Sequence, residues 1–182
     1  TEALARAHDD AVRERKYVGD VTSAVVARAL VRGDLAGARA GLQKGMSADV
    51  EPASLLYPAL WVRLLEKRVA APSEPLVDRI LVASEGDRRW VGRIAAYARG
   101  QLSSEDLNKL AKTPSERTEA KFYAALERVT VSGATLTLDE SALRAAIECG
   151  GIGLSEYAIA RDLLDGKKGP QPLGTPPSPI VR

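Results

Sequence analysis

Apolar residues recur along this chain at three- and four-residue spacing, the period of one face of an α-helix. Val21–Val31 is such a run. Gly33 and Asp34 follow it, a helix stop and the N-cap of a second helix ending near Gly45. Ala38, Leu42 and Gly45 share one stripe of that helix, so two helix axes are expected to approach closely there. Before it, Glu2–Tyr17 reads as a separate, highly charged leading helix whose weak core face is Leu4, Ala7, Ala11 and Val12.

Three more helix pairs follow. The second is predicted over Ala53–Lys67 and Pro75–Ala83, with Pro52 at a first helical position. Pro58 must kink this helix or make it start late, and Ser73 or Glu74 is the expected cap at Pro75. The third spans Asp87–Arg99 and a helix from Ser103 or Ser104 to Lys112. Trp90 and Tyr97 lie seven apart on one face, and Ser103 with Asp106 approximates a capping box. The fourth opens on Thr113-Pro114-Ser115-Glu116, a capping box with Pro at the first helical position. Ala120, Tyr123, Ala124 and Glu127 form one stripe, with Ala124 expected at a close helix contact. Asp139 caps a helix over Glu140–Cys149, which stops at Gly150-Gly151. Val129–Leu138 comes nearest to strand alternation, so a loop or a short hairpin is expected there.

A last helix, Leu154–Leu164, is placed to cover a final apolar face. Beyond it come Pro170, Pro172, Pro176, Pro177 and Pro179 without apolar periodicity. The domain reading is therefore a helical domain over 1–166 and a Pro-rich extended or disordered tail over 167–182. The pairs repeat about every 29 to 37 residues, a period of stacked helical hairpins. The expected fold is all-α: a right-handed solenoid of antiparallel hairpins with about 9–10 helices and a capping helix.

Composition agrees and narrows the function. Aromatic residues are only 4% of the chain, which suits close helices better than a β-sandwich. Net charge is +2, whereas nucleic-acid-binding domains usually carry a clear basic excess, so no nucleic-acid partner is expected. Cys149 is the one cysteine, so no internal disulfide can form. No apolar run reaches the length of a membrane span.

These hairpins resemble the tetratricopeptide repeat family. Ala29-Leu30, Gly33-Asp34 and Ala38 match its ALxxGDxxxA pattern, and Trp90 and Tyr97 have the spacing of its Trp and Tyr positions. Gly100-Gln101, Arg117–Leu126, Ser132-Gly133 and Glu156-Tyr157 to Leu164 look like divergent repeats of bacterial exported proteins and lipoproteins. The match runs over most of Val21–Leu164, with departures at Val26, in the second pair and in the long fourth turn. The resemblance implies scaffolding and the binding of a protein or peptide, in a periplasmic or envelope setting rather than the cytoplasm. Some members hold a carboxylate through an Asn-rich clamp. With Asn108 as its one asparagine, this chain does not carry that mode over.

Candidate chemistry is sparse. His8 and Cys149 are too few for a structural zinc site, and Cys149 at a helix C-terminus is in the wrong field for a thiolate. Gly150-Gly151-Ile152-Gly153 follows a helix rather than a strand, so it reads as a turn and not a phosphate loop. The acidic pairs Asp9-Asp10 and Glu105-Asp106 are surface and first-turn residues. No catalytic residue, metal or cofactor is expected. Arg88, Arg89, Arg93 and Arg99 make the most one-signed cluster, with Arg89 and Arg93 sharing a helix face that Lys121 could extend. That face would take an acidic peptide. The competing contact is an apolar groove including Phe122 and Leu126. The function expected is a non-enzymatic protein–protein interaction module. The alternative is a structural or regulatory segment of a larger protein that packs on its own neighbours or self-associates.

Overall fold

The computed structural model describes residues 2–84, 86–128, 130–132, 135–137 and 139–166. The expected tail, and the side chains of Leu4, Ala7 and His8, lie outside what is described. The fold is all-α: nine α-helices among the described residues, one 3-10 turn and two three-residue strands.

Helix α1 runs unbroken over Glu2–Arg32, 31 residues. The separate leading helix is thus the first half of α1. Nothing between Tyr17 and Val21 forces a break, because Gly19 is held in the helix against Val50. Gly33, at φ 70°, ends α1. Its N–H donates to Leu30 O, and the Asp34 N–H donates back to Ala29 O at 2.9 Å. Asp34 then caps α2 (Leu35–Ser47) by accepting the Gly37 N–H at 2.8 Å. Ala38, Leu42 and Gly45 are buried as expected. A Cβ at Gly45 would stand 2.8 Å from Thr22 Oγ1 on α1, so the small residue sets how close the two helices sit.

A 3-10 turn over Pro52–Leu55 leads into α3 (Leu56–Arg68). Of the two outcomes expected for Pro58, the late start is realised. Pro58 sits in the first turn, where its missing N–H has no helical partner to lose. Helix α3 is central: Leu56, Leu60, Trp61, Val62 and Leu65 are almost fully buried, and α1, α2, α4, α5 and α7 all touch it. Helix α4 (Pro75–Ala83) has no side-chain cap from Ser73 or Glu74. The Glu74 N–H is instead accepted by Glu66 Oε1 of α3 at 2.9 Å.

Helix α5 covers Trp90–Ala98 and begins later than Asp87. Asp87 folds back to accept the Arg89 N–H at 2.8 Å, which holds these residues in a turn. Ser103 caps α6 (Ser104–Leu110) through the Asp106 N–H at 3.0 Å. The capping box of α7 (Pro114–Glu127) closes in both directions, Glu116 N–H to Thr113 Oγ1 and Thr113 N–H to Glu116 Oε2. The long turn after it forms the short hairpin: β1 (Thr130–Ser132) pairs antiparallel with β2 (Thr135–Thr137), Thr130 opposite Thr137. Asp139 caps α8 (Glu140–Glu148), and α9 (Ser155–Gly166) follows. Helix α9 touches α8 and α7, and also α1.

Candidate functional site

Of the large apolar side chains left exposed among the described residues, Val69, Val82, Leu110 and Ile152 stand singly, and the other four share one helix. Val12, Tyr17, Val21 and Val25 of α1 are 47%, 69%, 42% and 46% exposed. Tyr17, Val21 and Val25 are four apart, so they form one stripe along α1. The stripe runs on to Arg28 and Arg32; one groove follows it from Val21 to Arg32, and a second borders it at Arg28 and Arg32. One, of about 410 Å³, is closed by Asp34 and Gly37 beside α2. The other, of about 300 Å³, is closed by Ser155, Ala158 and Asp162 of α9. Gly41 of α2 lets this surface lie low: a Cβ there would stand 3.0 Å from Val25 Cγ1.

The residues singled out from the sequence divide. Arg89 and Arg93 are exposed at the start of α5. Arg89 is not free, because its Nη2 pairs with Asp87 Oδ2 at 2.7 Å. Lys121 is half-buried in a different groove, of about 370 Å³, with Asn108, Arg128 and Asp139. Phe122 is fully buried and packs edge-on to Tyr123, with ring centroids 5.4 Å apart. Leu126 is 8% exposed. These two line no open groove, because the face of α7 that carries them is turned into the core. Trp90 and Tyr97 do share an inward face as expected. Ala120 and Tyr123 are fully buried, but Ala124 is half-buried on the Lys121 groove, so the small-residue stripe leaves the core midway.

Two acids that sequence reasoning passed over lie inside. Glu119 of α7 and Glu156 of α9 are 4% and 2% exposed. Glu119 Oε2 accepts the Trp90 indole N–H at 2.8 Å and the Tyr57 hydroxyl at 3.1 Å. Glu156 Oε1 accepts the Tyr123 hydroxyl at 2.6 Å. The Trp61 indole faces the same carboxyl without a hydrogen bond of standard geometry. Burial, then the nearby Glu156, push Glu119 up to about 7, against the pull of its two donors. Burial also raises Glu156, partly offset by Tyr123. Tyr57 and Tyr123 are raised by burial and by these carboxylates. The group joins α3, α5, α7 and α9 in one hydrogen-bonded knot. The signal was available: Glu119 lies three and four residues before Phe122 and Tyr123, and Glu156 three and four before Ile159 and Ala160. Both acids thus stand on the apolar, inward face of their helix.

A second polar joint fastens α2, α3 and α4. Glu66, 1% exposed, accepts from Arg39 Nη2 at 2.8 Å, and Arg63 reaches both Glu66 and Asp78. Among the described residues no cluster of three or more His, Cys, Asp or Glu side chains could hold a metal ion. No described helix is long and apolar enough to cross a membrane. No protein-family model, characterised protein or solved structure matches the chain.

Proposed function

We propose that this chain is a non-enzymatic helical module that binds a protein partner, built on the tetratricopeptide plan of stacked hairpins. The observation that carries the reading is the open Tyr17-Val21-Val25 stripe on α1, with a groove along Val21 and Val25 and a second at its Arg28 and Arg32 end. Apolar side chains gathered on one helix face, rimmed by charge, are the usual form of a protein contact. Two features support the hairpin plan: consecutive helices pack on each other, and Gly33 and Asp34 turn α1 into α2 at the position of the repeat's Gly-Asp. The contact of α9 with α1 makes the array shorter and more closed than an open superhelix. The acids with raised pKa are sealed in the core, which supports a binding role over a catalytic one. The resemblance adds a bacterial envelope setting.

The test is an affinity capture from the source organism with wild type, Val21→Asp/Val25→Asp and Arg89→Glu/Arg93→Glu. A partner held by wild type and by the arginine variant, but lost from the valine variant, is expected. Equal capture by the valine variant would overturn the α1 site, and loss with the arginine variant alone would move the contact to α5.

A second reading has its own observation. Every residue from Asp9 to Tyr17 is exposed, and an ion pair of 3.7 Å from Arg15 to Asp49 ties this stretch of α1 to the body. A segment that packs on a neighbour or on itself would leave such a helix uncovered when alone.

A further inference from the structure

We propose that two copies of this chain pair through the N-terminal half of α1, antiparallel, with Val12 against Val12 at a two-fold axis. The inference rests on the second reading above, that of a self-associating segment, and not on the partner stripe at Tyr17, Val21 and Val25.

Helix α1 is covered along only part of its length. From Val18 onward its inward stripe, through Thr22, Val26 and Leu30, is covered by the body. The same stripe continues outward through Arg15, which pairs with Asp49 at 3.7 Å, to Val12 and Ala11, which are both exposed, Val12 at 47%. A lone helical segment of fewer than about 12–15 residues is marginal in water, so this half gains from a second helix laid on the stripe.

The charge order says which helix. Asp9 and Asp10 precede Val12, while Arg13, Glu14, Arg15 and Lys16 follow it, so the sign of the net charge reverses across Val12. Asp9 and Lys16 are seven apart, so they lie on one edge of the helix, on either side of Val12. A parallel partner of the same sequence would set like charges together. An antiparallel one sets Asp9 of each helix against Lys16 of the other, and the two-fold axis repeats the pair. Among the described residues neither Asp9 nor Lys16 has an ion pair within its own chain.

The space also fits. From Val12 through Ser23 the same face of α1 borders a groove of about 680 Å³, walled on the other side by Asp49, Val50 and Glu51. An antiparallel neighbour carries its own first turns into that groove. Gly19 on its floor has no side chain to hold the helices apart, and it is already seated on Val50.

The experiment is sedimentation velocity over roughly 1–200 µM with wild type, Asp9→Lys, Lys16→Glu and an equimolar mixture of the two variants. Wild type is expected to form a dimer. Each single reversal sets like charges opposite each other twice, and should raise the dissociation constant about tenfold or more. In the mixture, the substituted position of one variant faces the substituted position of the other with opposite charge. The second pair is Asp9 against Lys16, as in wild type, so a heterodimer should return. Both sites are exposed, so unchanged circular dichroism is expected and confirms that folding is intact. A dimer that ignores both reversals would overturn this interface while leaving self-association standing. A monomer at every concentration would overturn both.

Discussion

The hydroxyl of Tyr57 on α3 donates a hydrogen bond to Glu119 Oε2 on α7, 62 residues along the chain. The Trp90 indole on α5 donates to the same oxygen. One buried carboxyl group therefore fixes the mutual placement of three helices, and its charge state bears on stability.

Glu119 titrates near 7 in the fold, against an ordinary value of 4.5. Its folded pKa is raised, so its contribution to stability is complete below about 4.5 and is lost as pH rises through 7. The groups that face it are Glu156, Tyr57, Trp90 and, more distantly, Glu116. Exposed caps act oppositely: Glu116 and Asp139 are held low by backbone N–H donors and lose their contribution on acidification. Stability should peak between about pH 4.5 and 6 and fall by roughly 2–3 kcal/mol toward pH 8. Urea unfolding of wild type and Glu119→Gln at pH 5 and 8 tests this. The variant should flatten the decline, and an equal decline in both would place the titration elsewhere.

Gly92, inside α5, is buried, and a Cβ there would stand 1.8 Å from the Asp87 carbonyl oxygen. Helix propensity alone predicts that Gly92→Ala stabilises by about 1 kcal/mol. The contact is with backbone and cannot yield cheaply, so a net loss of about 2–4 kcal/mol is expected, in the range of core overpacking and strain. Thermal melting decides the sign.

Ala70 ends α3 at φ 52°, in the left-handed region, with its N–H donating to Lys67 O and the Ala71 N–H to Glu66 O. This is the stop that Gly33 makes for α1, but with a Cβ where glycine is preferred. Ala70→Gly should stabilise by about 0.5–1 kcal/mol, since the strain relieved exceeds the added chain entropy. A lower midpoint in urea would show that the Cβ contributes packing.

Ala120 and Ala124 are one helical turn apart on α7 and should answer differently. Ala120 is fully buried, so Ala120→Leu is expected to cost about 1–3 kcal/mol. Ala124 borders an open groove, and Ala124→Leu should stay within about 0.5 kcal/mol. Equal losses would mean that the groove closes in solution.

The parts of the fold written in local chemistry were legible. Asp34, Ser103, Thr113 and Asp139 each cap the helix that the sequence assigned to them, because a cap needs only a side-chain oxygen and an N–H two or three residues on. Gly33, Gly100 and Gly150 all adopt the positive φ expected of stops. The stops at Asp49 and Ala70 were not readable, since both adopt a positive φ without being glycine. The union of two helices into α1 was also hidden. Charge alone does not end a helix, and the covering of Val18 and Thr22 comes from residues far along the chain. At the surface, Arg89 and Arg93 were correctly read as exposed. Phe122 and Leu126 were misplaced, because periodicity gives a stripe but not which body covers it. Tyr17, Val21 and Val25 escaped notice because an apolar residue on a helix reads as core by default.

The contact between α9 and α1 joins elements from opposite ends of the helical array. Repeats that touch only their neighbours can unzip from either end, so that part of the array melts before the rest. Here the last helix rests on the second half of the first, beside Ala24–Arg32, and neither of these two segments can open without uncovering the other. Closing that ring costs the entropy of a loop more than a hundred residues long, roughly 4–5 kcal/mol on a logarithmic scale, before the contact forms. Folding should therefore be slower than in an open array of the same helices, and hydrogen exchange in the second half of α1 and in α9 should report a single opening event.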